Sequence, residues 1–226
     1  MTLSLRRLAT GLMVCPLGSL SADADGGRTS IIPAVGSYEI REYDQGWPGA
    51  FRDAASLLRM TLGESVDRID HIGSTSVPGL ASKDVIDIQV SVQRDNDLDS
   101  VARTLEEAGW ARYSVSSDHV VPGLPPSELA RRKGFLREPP GYRRVNVHVR
   151  LVGQPNQRYP LLFRDYLRAH PHNAQAYATI KKDLALILPD DLDRYTDVKD
   201  AACDLIYFAA EAWAQSTGWS AGTSDG

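Results

Sequence analysis

The stretch from Asp70 to Val90, DHIGSTSVPGLASKDVIDIQV, gathers the side chains of this chain best suited to chemistry. Gly73, Ser74, Thr75 and Ser76 form a turn rich in hydroxyls, with backbone N–H groups that no bulky side chain screens. An anionic group can sit on such a turn. Asp87 lies inside the apolar run Val85-Ile86-Asp87-Ile88-Gln89-Val90, where a carboxylate is costly unless it meets a cation, a metal or hydrogen-bond donors. Much later, Asn146 and His148 alternate with Val145, Val147 and Val149. A carboxylate beside an imidazole binds a divalent metal or works as an acid–base pair. Asp87, His148 and His71 are therefore the candidate catalytic residues, with Asp87 and His148 the candidate metal ligands. The plainer readings are a half-exposed strand histidine at 148 and a structural carboxylate at 87 that caps the turn.

The cationic residues form a second layer. Lys83 follows the turn, while Arg164 with Arg168 and Tyr177 with Lys181 stand four residues apart, so that each pair shares a helical face. With Gly73, Ser74, Thr75 and Ser76 they make up the candidate substrate-binding set, closing over the turn as countercharges to an anion. Against this, Lys83 also reads as a solvated loop lysine, and Arg164 and Arg168 as surface partners of Asp165.

Strands and helices must bring these residues together. Val66 to Ile72 and Val85 to Val92 read as core strands, the second with Asp87, Gln89 and Ser91 on one face and Ile86, Ile88, Val90 and Val92 on the other. Tyr142 to Leu151 is the most regular strand, with Val145, Val147 and Val149 inward and Arg144, Asn146, His148 and Arg150 outward. It pairs as a hairpin with Lys133 to Glu138 across Pro139-Pro140-Gly141. The expectation is that His71 with its turn, Asp87 and Gln89, and Asn146 and His148 converge on one face of one sheet.

Helices are predicted over Trp47 to Leu62, stopped by Gly63, over Asp99 to Ala108, over about Leu161 to Ala169 and Asn173 to Ile187 on either side of His170-Pro171, and over Leu192 to Ala214. Trp110 to Val115 reads as a further strand. Ser116 to Gly141, with its prolines and the basic residues Arg131, Arg132, Lys133 and Arg137, reads as an irregular functional loop until the hairpin begins.

With 42% hydrophobic and 24% charged residues the chain is composed as a globular domain, and disorder of the whole is excluded. A net charge of −4 and a pI of about 5.7 give no basic signature, so nucleic acid is not supported as a partner. No apolar run is long enough to span a membrane. Cys15 and Cys203 share no metal-ligand spacing and read as free thiols of a reducing, cytoplasmic compartment. Residues 1–36 are expected to be a flexible tail, signal-like after Arg6-Arg7 or an over-extended start; 37–212 is the domain, and 213–226 a second flexible tail.

The blocks HIGSTSVPGLASKDVIDIQV, VNVHV, FRDYLRAHP, AYATIKKDLA and Tyr195 to Lys199 together resemble the GrpB family over roughly Tyr38 to Phe208. That family's fold is similar to the nucleotidyltransferase superfamily. The resemblance implies an α+β domain, a mixed β-sheet with flanking helices, whose Gly-Ser turn contacts nucleotide phosphates and whose adjacent acids hold magnesium. Gly73 and Ser74 match the turn, and Asp87 the first acid. The second acid of that motif is Gln89 here, and the place of a third falls on His148. Asp70 stands where the family commonly has glutamate. Two-metal phosphoryl transfer needs several carboxylates, which Asp87 alone does not supply.

The expected function is accordingly a nucleotidyltransferase-like transferase that binds a nucleotide or other anionic small molecule at the GSTSVPGL turn, with transfer chemistry at Asp87 and His148 and Mg2+ or another divalent metal as cofactor. The alternatives are a tailoring enzyme of specialised metabolism that forms or breaks an acyl or amide bond, and a non-catalytic ligand-binding module.

Overall fold

In a computed structural model, residues 38–114 and 117–226 are described; the expected N-terminal tail, 1–36, lies outside them. Helix α1 (Trp47–Leu62) forms where predicted. Its buried face is Trp47, Phe51, Ala55, Leu58 and Leu62, and Gly63, at φ +54°, ends it by donating its N–H to the Arg59 carbonyl. Strand β1 (Arg68–Ile72) leads through a single turn of 3-10 helix (Ser74–Ser76) to β2 (Ile86–Val92). Helix α2 (Asp95–Glu107) starts a turn before its predicted N-cap, because the Asp97 carboxylate accepts the Arg94 N–H at 3.2 Å and Leu98 is buried.

Of the strand predicted over Trp110 to Val115, Ala111–Arg112 form β3, and Val115 lies outside the described residues. The segment expected to be irregular contains a short helix, α3 (Glu128–Arg131), before the hairpin of β4 (Gly134–Arg137) and β5 (Val145–Leu151). Three helices follow: α4 (Pro155–Ala169), α5 (Pro171–Ile187) and α6 (Leu192–Thr217). The break between α4 and α5 falls at His170-Pro171, as the missing proline N–H demands.

The five strands form one mixed sheet in the order β1-β2-β5-β4-β3, antiparallel throughout except for the parallel pair β2–β5. The α+β architecture with flanking helices is the one anticipated. Ile86, Ile88 and Val90 of β2 and Val147 and Val149 of β5 bury their side chains against α1 and α2. Each such side chain contributes about 1.5–3 kcal/mol to stability. The opposite face carries Asp87, Gln89 and Ser91 beside Asn146, His148 and Arg150, in register, and α4 packs over it. A second apolar cluster joins α4, α5 and α6 around Leu162, Tyr166, Tyr177 and Tyr207.

The C-terminal segment differs from the flexible tail expected for 213–226. Helix α6 continues to Thr217 and ends on Gly218 in the left-handed region, and Gly222 to Gly226 then lie along the free edge of β1.

Candidate functional site

The Gly73 turn is built against Asp87. Gly73 has φ +70°, and a Cβ there would come within 2.5 Å of Asp87 Oδ2, so glycine is demanded by conformation and by space. Asp87 Oδ1 accepts a 2.8 Å hydrogen bond from Asn146 Nδ2. His148 Nε2 stands 3.8 Å from the same oxygen, the diagonal neighbour that parallel register provides. Asp87 and His148 are thus brought side by side, as the strand alternation implied. Burial raises the Asp87 carboxyl, but His148, Asn146 and Lys83 outweigh it and hold the group below its usual value. Burial, then the Arg150 charge, pushes the His148 imidazole down, so it is neutral at pH 7. Its Nδ1 is buried without a partner.

His71 does not join them. Opposite Ile88 in the β1–β2 register, it faces α1, stacks on Phe51 at 4.6 Å and meets Thr75 Oγ1 through Nε2 at 3.0 Å. Burial lowers its pKa to about 4, so this ring is neutral and structural in its contacts. The one-face expectation fails here because antiparallel pairing puts Asp70, not His71, opposite Gln89. Asp70 itself is fully buried and paired with Arg68 at 2.8 Å.

The hydroxyls of the turn divide in the same way. Thr75 Oγ1 donates to the Val85 carbonyl at 3.3 Å and Ser76 Oγ to the Gly73 carbonyl at 2.6 Å; both side chains are buried and staple the turn. Ser74 alone remains partly open, and Lys181 Nζ donates to its Oγ at 2.8 Å. Arg164 and Arg168 brace the turn from behind rather than facing a ligand. Arg164 donates to the His71 carbonyl at 3.0 Å and pairs with Asp165 and Asp225, while Arg168 donates twice to the Ser76 carbonyl, at 3.0 and 2.8 Å.

What faces Asp87 instead is a group of lysines. Lys83 sits over the rings of Tyr195 and Tyr38, 5.2 and 5.7 Å from their centroids. Lys181, 3% exposed, also donates to the Ala81 carbonyl at 2.5 Å and lies 4.6 Å from the Tyr177 ring centre. The Tyr177 hydroxyl meets Cys203 Sγ at 3.2 Å, so it is already partnered between α5 and α6. Lys199 pairs with Asp200. Among the described residues, neither Lys83 nor Lys181 has a carboxylate within ion-pair distance. Burial lowers the pKa of both, that of Lys181 to about 7.

An unpaired buried lysine costs stability. Unfolded, Lys181 keeps its proton to an ordinary lysine pKa; folded, it releases it near pH 7. Between those values the unfolded state holds more protons, so stability rises with pH across that window. Lys181→Met is expected to stabilise the fold by about 1–2 kcal/mol at about pH 6 and to flatten the rise towards about pH 10, as urea titrations across that range will read. A gain in stability on removing a charge at a cleft marks a residue kept for binding.

The donor set does not make a magnesium site. Among the described residues there is no cluster of three metal-ligating acids, histidines or cysteines. Asp87 is one carboxylate with a lone pair already taken by Asn146, and the neighbouring charges are ammonium groups. Gln89, at the place of a second acid, is bound to Arg150 at 2.9 Å and to the Gln157 carbonyl at 2.9 Å. A hard cation needs several oxygen ligands.

Sequence reasoning missed three parts of this region. Asn146 was legible on the outward face but had no partner to give it a role. Tyr195 to Lys199 was legible as a family block but was given no role at the site, and the packing of Tyr195 on Tyr38 joins opposite ends of the chain. Asp118, in an aperiodic segment, takes Arg150 at 2.7 and 3.1 Å and Lys133 at 2.6 Å in a buried ion network beneath His148.

The family model "GrpB protein" matches residues 37–208. A crystal structure of a conserved GrpB protein from Enterococcus faecalis superposes with a TM-score of 0.63 at 32% identity, over 77% of this chain and 99% of that one. A protein named dephospho-CoA kinase from Mycolicibacterium paratuberculosis is 33% identical over 190 residues, 78% of this chain but 46% of its own length. The chain therefore spans about half of that relative. A looser likeness, with a TM-score of 0.45 and 17% identity over 65% of this chain and 41% of the other, is to Cid1, described as having RNA terminal uridylyl transferase activity. Among the described residues, no helix is long and apolar enough to cross a membrane. On the family match and the superposition together, the chain belongs to the GrpB family.

Proposed function

We propose that this chain is an enzyme that binds a nucleotide, or another phosphorylated or carboxylated small molecule, in the cleft between the Gly73 turn and helices α5 and α6. The carrying observation is that buried Lys181 and partly buried Lys83 have no carboxylate partner among the described residues and lie by the turn whose Ser74 hydroxyl, unlike those of Thr75 and Ser76, donates to no group within it. Buried cations of this kind are stabilised by an anionic ligand. Ser74, Lys83, Lys181 and Lys199 contact the anion; Arg164, Arg168, Thr75 and Ser76 hold the turn that receives it.

The transfer step belongs to Asp87 and His148. Asp87 is ionised and partly exposed, so it can take a proton from an attacking hydroxyl or amine held by the lysines, and neutral His148 orients and screens it. Positioning and the field of the lysines supply the remaining catalysis. With one carboxylate, this chemistry is written without a metal.

The test separates binding from turnover. Inorganic pyrophosphate and nucleoside triphosphates should raise the melting temperature; a ligand at 100 times its dissociation constant adds about 2.7 kcal/mol. Lys83→Met and Lys181→Met should remove that shift. Asp87→Asn and His148→Ala should retain it while abolishing turnover of whichever triphosphate or acyl phosphate the wild type consumes. No shift with any anion of the panel would sink the reading, and turnover that survives Asp87→Asn would move the chemistry elsewhere.

A further inference from the structure

The free edge of β1 is occupied by the chain's own C-terminal segment, which lies outside the family match. Ser224 Oγ accepts the Ile69 N–H at 2.9 Å and donates to the Ile69 carbonyl at 2.9 Å, and the Gly226 N–H reaches that carbonyl at 3.0 Å. Asp225 Oδ2 accepts the His71 N–H at 3.0 Å and receives Arg164 at 2.6 Å. Arg68 donates to the Gly222 carbonyl at 2.6 Å, and Arg59 to that of Gly226 at 3.2 Å. Gly226 is seated so closely on α1 that a Cβ there would lie 2.8 Å from that of Ala55. The edge N–H and C=O groups of Ile69 and His71, which an uncovered strand leaves to solvent, are all taken.

The His71 peptide is thereby gripped from both sides. Asp225 holds its N–H, Arg164 holds its C=O at 3.0 Å, and Asp225 holds Arg164. Two residues on is Gly73, where the Asp87 side chain occupies the space that a Cβ would need. We propose that Gly222–Gly226 is a latch on the edge of β1, with Asp225 a positioning residue that sets the Gly73 turn, so that anion binding in the cleft depends on the docked tail. The coupling rests on the anion-binding reading above; the latch itself does not. By reciprocity, an anion in the cleft tightens the tail.

Hydrogen exchange and pyrophosphate titration on the full-length chain test both parts. In Asp225→Ala, exchange at the Ile69 and His71 amides should quicken by about tenfold while the amides of β2 and β5 keep their rates. The dissociation constant for pyrophosphate should rise about fivefold. Saturating pyrophosphate should slow exchange at His71 in the wild type and fail to do so in the variant, a response that a merely structural contact does not give. Should Asp225→Ala fold poorly, Asp225→Asn removes the ion pair with Arg164 and keeps an acceptor for the His71 N–H, and a smaller change in the same direction is expected. Unchanged exchange at Ile69 and His71 overturns the latch. Faster exchange with unchanged pyrophosphate affinity overturns the coupling. If wild type does not bind pyrophosphate, the coupling falls with the anion-binding reading, and exchange still decides the latch.

Discussion

Replacing Asp118 by Asn lowers the unfolding free energy by about 3–5 kcal/mol, the usual cost of leaving buried charge uncompensated. Asp118 is 6% exposed and is the shared partner of Arg150 and Lys133, whose side chains are themselves 10% exposed. Removing it strands two cations in a low-dielectric interior. Urea titration of the variant at neutral pH measures the loss. Lys133→Met in the same chain should restore part of it, since one of the stranded charges is then gone, and the double-mutant cycle reports their coupling.

The same network sets an acid limit. Burial pushes the Asp118 carboxyl up, but Arg150 and Lys133 outweigh it and hold the group well below the usual carboxylate range. A carboxylate lowered on folding stabilises the fold fully above its unfolded pKa and loses that contribution as pH falls towards its folded one. The contribution of Asp118 is therefore complete above about pH 5 and declines below about pH 4. Arg150 also donates to Gln89 and lies two residues from His148, so loosening it disturbs the polar face of β2 and β5 as well.

Gly73→Ala is the second large effect. Ala at φ +70° is strained, and its Cβ would stand 2.5 Å from Asp87 Oδ2 and 3.0 Å from Asp87 Cβ. Something must move, and the neighbours are the Asp87 side chain and the stapled turn. A loss of about 2–4 kcal/mol in stability is expected, with pyrophosphate affinity reduced by about tenfold or more because Ser74 moves with the turn. Gly79→Ala is the control. Gly79 has φ +79° but nothing within 4 Å of the added methyl, so only the backbone term applies, about 1 kcal/mol with affinity unchanged. Denaturation and pyrophosphate titration of the pair separate strain from collision. Equal losses in the two variants would show that contact with Asp87 does not matter.

Most of the elements that carry the site were legible in the chain. The valines at 145, 147 and 149 alternate with Asn146 and His148, so the polar face of β5 follows from period-two burial alone, as it does for Asp87 and Gln89 in β2. Phe51, Leu58 and Leu62 gave α1 its face, and Gly63 its end. The site was less legible. Ser74, Thr75 and Ser76 are consecutive and chemically alike, yet two of them are used up inside the turn, and which two depends on the path the chain takes after Gly73. Arg164 and Arg168 look like ligand contacts by type and spacing, and become braces because α4 packs behind the turn.

By itself the sequence determined the faces of β2, β5 and α1, because burial there repeats at short, fixed intervals, whereas α6, expected to turn Val198, Ala202, Leu205 and Ala209 inward, buries Tyr195, Cys203, Tyr207, Ala210 and Ala214 instead. The tertiary structure alone decided that β2 and β5 run parallel with Asp87 beside Asn146 and His148, that His71 turns to the other face, that Asp118 neutralises Arg150 and Lys133, and that Gly222 to Gly226 close the edge of β1. These pairings join residues far apart in the chain. They are chosen by sheet register and by the need of each buried polar group for a partner, neither of which leaves a local pattern to read.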